Sequence, residues 1–314
     1  MRRRPSLAIL ALAGFSLTAW GQEKARVPGE QIPLVSLAFT PDGKYLAAGD
    51  ARGDVSFRDP STGQERKRLQ GGKGTLVFVG FADAGKTLVS VDQHSVVLRR
   101  YPHDEDEPAV VALPDSFPIE CAALASSASA LALGVGKRIV VLDLATRKET
   151  ARLAPDDDYV VKAVALSADG KRAVSGDGAG HVRVWDVVAK KLVRETEAPG
   201  RAERLLLSPD ARTVALPGKG TVLLDLASGR TADACGEGDA SASAVSCTGF
   251  MAAGGRDGSI EVLDPRASKV LGTLHAHESE VRALAFSPDG RALASIDRSG
   301  TLVIFDVTAQ VRPH

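Results

Sequence analysis

Short apolar stretches recur along the chain, each followed by the same sequel. VSLAF at 35–39, VFVGF at 77–81 and VRALAF at 281–286 are five or six residues long. That is the length of a buried strand rather than of a helix. Next comes a tight turn: PDGK at 41–44, DAGK at 83–86, ADGK at 168–171, PDAR at 209–212 and PDGR at 288–291. Gly supplies positive φ in such a reversal, and Asp bonds back to the backbone. A second strand follows, as in YLAAG at 45–49 and ALAS at 292–295, then a loop with Gly. The third strand reads VVLRR at 96–100, IVVLD at 139–143, VRVWD at 182–186 and TVLLD at 221–225. Its last residue, usually Asp, opens another turn, as in DPSTG at 59–63 and DLASG at 225–229. A more polar fourth strand, such as QERKRL at 64–69, ends the unit.

The terminal Asp sets the period. It falls at Asp59, Asp143, Asp186, Asp225, Asp264 and Asp306, with Tyr101 in the remaining slot, at intervals of 39–43 residues. A period near forty marks a repeat architecture. Four antiparallel strands of rising polarity fit a blade that is buried at its inner edge and wet at its outer one.

These units resemble WD repeats, and the resemblance runs over about residues 24–314. It implies an all-β fold: a seven-bladed β-propeller of four-stranded antiparallel blades. The signature Trp-Asp stands only at Trp185-Asp186; elsewhere Arg58, Arg100, Leu142, Leu224, Leu263 and Phe305 fill the Trp position. The Gly-His step stands only as Ala276-His277. In the family a His, a strand Ser or Thr, a loop Asp and the Trp form a buried hydrogen-bonded tetrad. No unit carries all four. The last has His277 and Ser295, with Ser299 at the Asp position; the fourth has Ser175 and Trp185, with Asp156 and Ala179 at the His and Asp positions. Blade stability is therefore expected from apolar packing and backbone ladders.

The chain ends after the third strand of the seventh unit. VPGEQIPL at 27–34 aligns without gaps on LHAHESEV at 274–281, so the segment before unit one reads like the end of a fourth strand. Residues near 22–28 are predicted to complete the last blade and remove an open edge. The tip at 307–314 is the competing candidate.

Composition changes the picture in three ways. Apolar residues make up 44 % of the 314 residues and aromatics only 4 %, so the core must be built from Val, Leu, Ile and Ala. Lys and Arg number 39, as do Asp and Glu, so no global field attracts nucleic acid or an anionic membrane. Residues 1–21 read as a secretory signal peptide: Arg2, Arg3 and Arg4, an apolar run over 7–19, and small residues at Ala19 and Gly21. That run is short for a membrane span. The expectation is an exported, periplasmic or secreted protein of bacterial type, with no membrane span after cleavage, formed by one domain over 22–314. Of three Cys, Cys235 and Cys247 are not brought together by the blade alignment, and buried free thiols are expected.

The search for chemistry yields little. There is no G-x-S-x-G elbow, no H-E-x-x-H and no P-loop. His275, His277 and Glu278 have ligand chemistry, but His277 already fits the repeat's loop His. The acidic runs at 104–107 and 156–158 lack calcium-loop spacing and read as solvated loops. Asp50, Asp92, Asp177 and Asp297 share one register after the second strand. They read either as turn caps or as carboxylates around the channel mouth. The same loops carry Arg52, His94, Lys137, Arg138, His181, Lys219, Arg256 and Arg298.

These residues, with His277, form the candidate partner-binding face. The favoured reading is a non-enzymatic, monomeric protein-interaction platform without a cofactor or metal, its partner a protein. The alternative is a cell-envelope propeller enzyme, a metal- or quinone-dependent dehydrogenase or a lactonase-like hydrolase, using the channel-mouth carboxylates.

Overall fold

The computed structural model describes residues 21–29, 32–72, 74–102, 107–113, 117–127, 129–198, 200–208, 211–226, 228–264 and 269–308, without the side chains of 218–220 and 232–239. Residues 1–20 of the expected leader, the run at 104–106 and the tip from 309 lie outside these residues.

The chain starts with β1 (Gln22–Val27) and then lays down blades in order. Blade 1 is β2 (Leu34–Phe39), β3 (Leu46–Asp50), β4 (Val55–Arg58) and β5 (Glu65–Leu69). Blade 2 is β6 (Leu76–Ala82), β7 (Thr87–Asp92), β8 (Ser95–Arg100) and β9 (Ala109–Ala112). Blade 3 is β10 (Ile119–Leu124), β11 (Ala130–Val135), β12 (Arg138–Asp143) and β13 (Lys148–Leu153). Blade 4 is β14 (Val161–Leu166), β15 (Arg172–Asp177), β16 (His181–Asp186) and β17 (Lys191–Glu197). Within each blade the strands pair antiparallel in chain order. Following that order, the four positions are called a, b, c and d.

Blades 5 and 6 share one ladder of β18 (Leu206–Leu207), β19 (Thr213–Asp225), β20 (Thr231–Val245), β21 (Met251–Gly255), β22 (Ser259–Asp264) and β23 (Lys269–His275). β19 runs through the b and c positions of blade 5. The first part of β20 pairs with β19 as strand d of blade 5, and residues 240–245 pair with β21 as strand a of blade 6. The repeat pattern predicts separate units here; the strands instead run on without a break.

Blade 7 is β24 (Val281–Phe286), β25 (Ala292–Asp297) and β26 (Leu302–Asp306), and β1 completes it as strand d. The register runs from Gln22 opposite Asp306 to Val27 opposite Leu302, with one irregularity between Glu23 and Ala25. Lys24 pairs with Asp306 at 3.1 Å, and Arg26 donates to the Ala276 carbonyl at 3.0 Å. The closure expected from the alignment is thus present, and the fold is a seven-bladed β-propeller.

Burial follows the predicted gradient. In blade 1 the three inner strands are almost wholly buried, whereas Glu65, Arg66 and Lys67 on the outer strand are exposed. The core is not one mass. Among the described residues the buried apolar side chains form seven clusters, and each straddles one junction between neighbouring blades. The closing junction sets Leu34, Phe39 and Leu46 against Ile296, Leu302 and Ile304. The smallest cluster, Ala215, Met251, Ala253 and Leu263, lies at the junction of blades 5 and 6. There the continuous ladder supplies hydrogen bonds where apolar packing is thin.

Two local devices make the blades regular. At the a–b turns Thr40, Ser167 and Ser287 donate to Asp42, Asp169 and Asp289 at 2.6–2.7 Å. Gly43, Gly170 and Gly290 then take φ near +70°, a conformation that a Cβ disfavours. At the junctions, glycine in strand b lets the next blade approach. A Cβ on Gly176 would sit 2.1 Å from the Ala202 carbonyl oxygen, and one on Gly254 would sit 2.5 Å from Val281.

Candidate interaction face

The b–c turns and d–a loops lie on one face, because backbone bonds join them. The Ile119 N–H donates to the Gln93 carbonyl, that of Val161 to Gly136 and that of Ala202 to Asp177. Each bond ties the b–c turn of one blade to the entry of the next.

Asp50, Asp92, Asp177 and Asp297 organise these turns from within. Asp50 accepts from the N–H groups of Arg52 and Asp54, and from Arg68 at 2.7 Å. Asp92 accepts from the N–H groups of His94 and Ser95. Asp177 accepts from those of Ala179, Gly180 and His181. Asp297 accepts from the Thr301 N–H and the Ser299 hydroxyl. All four are buried. Donors around Asp177 and Asp297 hold both carboxyls below the usual range even though burial acts the other way. The turn-cap reading therefore describes them, and they do not ring the channel mouth as open carboxylates. Blade 6 reaches the same turn through Asp257, which caps Ser259.

The tetrad has been rebuilt with other parts. In blade 7 the His277 Nε2 lies 2.7 Å from the Ser295 hydroxyl, and its Nδ1 lies 3.3 Å from Asp297 without hydrogen-bond geometry. The carboxylate thus comes from two positions before Ser299, and the sequence alignment missed it. Burial pushes the His277 imidazole below its ordinary pKa, partly offset by Asp297.

In blade 4 the Trp185 indole donates to Ser175 at 2.9 Å. Beside it Arg183, 1 % exposed, binds Asp177 at 2.9 Å, Glu195 at 3.0 Å and Asp157. One guanidinium thus ties the d–a loop, the b–c turn and strands c and d. In blade 1 the Trp position holds Arg58, also buried, which donates to Ser56, the Gly63 carbonyl and Glu65.

Asp157, His181 and Glu195 place their ligand atoms within 4.8 Å of one another. The cation among them is already Arg183, so the trio is an ion-pair cage rather than a metal site. His275 and His277 do not converge: the first is exposed, and the second faces inward to Ser295.

Asp50, Asp92, Asp177, Asp297 and the His277 side chain accordingly belong to the scaffold beneath the face and not to its surface. Arg52, His94, Arg256 and Arg298 are exposed on it. Lys137, Arg138 and His181 are half-buried; Lys137 pairs with Asp158 at 2.6 Å, and His181 packs on Tyr159 with ring centroids 4.9 Å apart. The side chain of Lys219 lies outside the described set.

The turn carboxylates do their expected work on the opposite face. Asp59 accepts from Ser61, Asp143 from Thr146, Asp186 from Ala189, Asp225 from Ser228 and Asp306 from Thr308. The Thr308 hydroxyl and N–H, with Lys24, hold the Asp306 carboxyl at about 2. The surroundings of Asp264 include segment 265–268, outside the described residues.

Strand a of every blade lines the central channel. There the cations Lys162 and Arg282 pair with Glu120 and Glu280 at 3.0 and 3.1 Å. Arg204 donates to the carbonyls of Ser241 and Glu203, and the enclosing walls lower its pKa.

Of the thiols, burial pushes Cys121 up to about 12. Cys247 is exposed in a turn, contrary to the expectation of buried thiols. The Cys235 side chain, and with it any pairing to Cys247, lies outside the described set. No helix of the described residues is long and apolar enough to cross a membrane.

Geometry and comparison agree on the class. The family model "WD domain, G-beta repeat" matches residues 148–186 and 268–306, the units ending at Asp186 and Asp306. The chain is similar to Actin-interacting protein 1 of Drosophila melanogaster, 26 % identical over 48 % of this chain and 26 % of that protein. It is similar to Autophagy-related protein 16 of Arabidopsis thaliana, 29 % identical over 44 % of this chain and 29 % of that protein. With Nuclear distribution protein PAC1-2 of Uncinocarpus reesii it shares 43 % identity over 21 % of this chain and 14 % of that protein. The match thus spans less than a third of these relatives' lengths. Two of the seven blades carry the WD-repeat pattern, and the chain is similar to WD-repeat proteins over part of its length.

Proposed function

We infer that the chain is a non-enzymatic platform that holds a protein partner on the face of b–c turns and d–a loops. One observation carries this reading: Arg52, His94, Arg256 and Arg298 stand exposed on short turns capped from within. Rigid turns present polar and cationic groups at fixed positions with little ordering cost on binding. The protein-binding class is also supported by kinship with WD-repeat proteins, one of which is named for interacting with actin. The carboxylates that a propeller enzyme would require are engaged in their own turns. The leader sequence supports work outside the cytoplasm, in a periplasmic or secreted setting, as a monomeric propeller.

The test is in-cell cross-linking of a tagged full chain, with mass spectrometry of what it captures. One dominant protein, joined through the loops at Arg52, Arg256 and Arg298 and lost on Arg256→Glu or Arg298→Glu, is the expected result. No reproducible partner would overturn the platform reading. Protection of the tag from protease in spheroplasts, whose outer envelope has been opened, would overturn the export reading.

A further inference from the structure

The outer junction of blades 1 and 2 holds a feature that the platform reading does not use. A cavity of about 280 Å³ opens between β5 and β8, beside the c–d turn of blade 1. Pockets that take a whole small ligand run from about 300 Å³ upward. This one has room for an anchoring side chain of something larger.

Its floor is aromatic. Tyr101 stacks on Phe57 with centroids 5.4 Å apart at 16°, and Tyr45 meets Phe57 edge-on at 6.4 Å and 88°. Its rim is cationic: Arg66 and Lys67 from β5, Arg99 and Arg100 from β8, with no carboxylate among the lining residues. Arg66 also pairs with Asp59 at 2.8 Å, and Arg99 donates to the Gln70 carbonyl. Two departures from the repeat build the site. Tyr101 replaces the terminal Asp and Arg100 the Trp, so blade 2 presents a ring and a cation where other blades carry a turn cap. Basic residues on an outer strand also discourage edge-to-edge pairing. That accounts for the charge but not for an aromatic-floored cavity between two blades.

We propose that this groove docks an extended acidic peptide segment of a partner protein, with one apolar or aromatic side chain seated on Tyr101 and Phe57 and flanking carboxylates on the Arg66 and Arg99 rim. The rim sets the charge of the ligand and the floor its anchor. β5 is the outermost strand of its sheet, so an extended segment alongside it finds backbone donors and acceptors. This site is separate from the b–c and d–a loop face and does not depend on it.

The test uses the full chain and a fluorescein-labelled synthetic peptide of Asp and Glu flanking one Phe, read by anisotropy. Saturable binding that weakens with salt is expected. The Arg66→Glu/Arg99→Glu double variant should lose about tenfold or more in affinity at unchanged melting temperature. Arg256→Glu should leave binding unchanged. A benzophenone in place of the Phe should cross-link to the 99–102 segment, a readout that needs no variant. Equal binding of a Phe→Ser probe would overturn the proposal in favour of general electrostatic adhesion. So would binding that the double reversal leaves intact. The acidic run at 104–107 follows Pro102 closely in sequence. Binding seen only after those four residues are neutralised would assign the groove to the chain's own segment and overturn a partner in trans. No binding in either form would overturn the site.

Discussion

Arg183 offers the sharpest test of how blade 4 is held. Its guanidinium bonds Asp177 at 2.9 Å, with both side chains no more than 2 % exposed, and Glu195 at 3.0 Å. Replacing it in Arg183→Met keeps most of the apolar stem and removes the charge. Breaking a buried pair by removing one partner costs about 3–5 kcal/mol. Asp177 keeps three backbone donors and the His181 ring, which places the loss at the lower end, about 3 kcal/mol. Asp157 and Glu195 are a third or more exposed, so their share is below about 1 kcal/mol each. Asp177→Asn leaves Arg183 two carboxylates and should cost about 1–2 kcal/mol. The double variant should fall short of the sum by about 1.5 kcal/mol or more, the signature of direct coupling. Urea unfolding can be followed by tryptophan fluorescence, since Trp185 lies two residues away and the other Trp of the sequence, Trp20, falls in the expected leader. Additivity within about 0.5 kcal/mol would refute the cage as a coupled unit.

Three further outcomes are expected. Gly176→Ala should destabilise by about 1–3 kcal/mol, because the new Cβ meets backbone at 2.1 Å, while Gly200→Ala, with nothing within 4 Å, should stay within about 0.5 kcal/mol in the same urea assay. His277 is held neutral by burial, so its folded pKa lies below its unfolded value near 6.5. The unfolded chain then binds the proton first, so stability falls as pH drops below the unfolded pKa and levels off below the folded one. The slope is at most about 1.4 kcal/mol per pH unit, and melting scans of His277→Gln should lack this component. Cys121, half-buried on the channel wall with its thiol raised to about 12, should be alkylated slowly in the native protein at pH 8, whereas Cys247→Ser should abolish a fast-labelling site.

Much of the fold is legible in the sequence because repetition averages out local ambiguity. One VRVWD is a strand of uncertain place; seven copies at intervals of 39–43 residues define a ring. The closing strand is legible for the same reason, since 27–34 repeats the form of 274–281. What stays hidden depends on contacts between positions that do not repeat. Arg58 and Arg183 look like lost signatures in the alignment, yet each sits buried among acceptors supplied by other strands. Asp297 serves His277 from a position that the family pattern does not assign. The continuous β20 gives no local sign of crossing from one blade to the next, because the crossing is decided by what lies on either side. At Tyr101 the alignment shows a gap-filler; only three dimensions show a stacked ring facing a row of cations.

The pairing of β1 with β26 has a consequence for the order of folding. The first strand of the ring needs the last one as its neighbour, so six blades can form while the seventh waits with an open edge. Closing a loop of nearly the whole chain costs entropy that only the final ladder and the blade 7 to blade 1 cluster return. A nascent chain therefore carries two unsatisfied seams, Gln22–Val27 at one end and the flank of blade 6 at the other, until synthesis reaches Asp306. Until the ring closes, β26 of one molecule can pair with β1 of another as well as with its own. Swapped or chained rings, rather than unfolded protein, are the characteristic failure to look for when it is produced too fast.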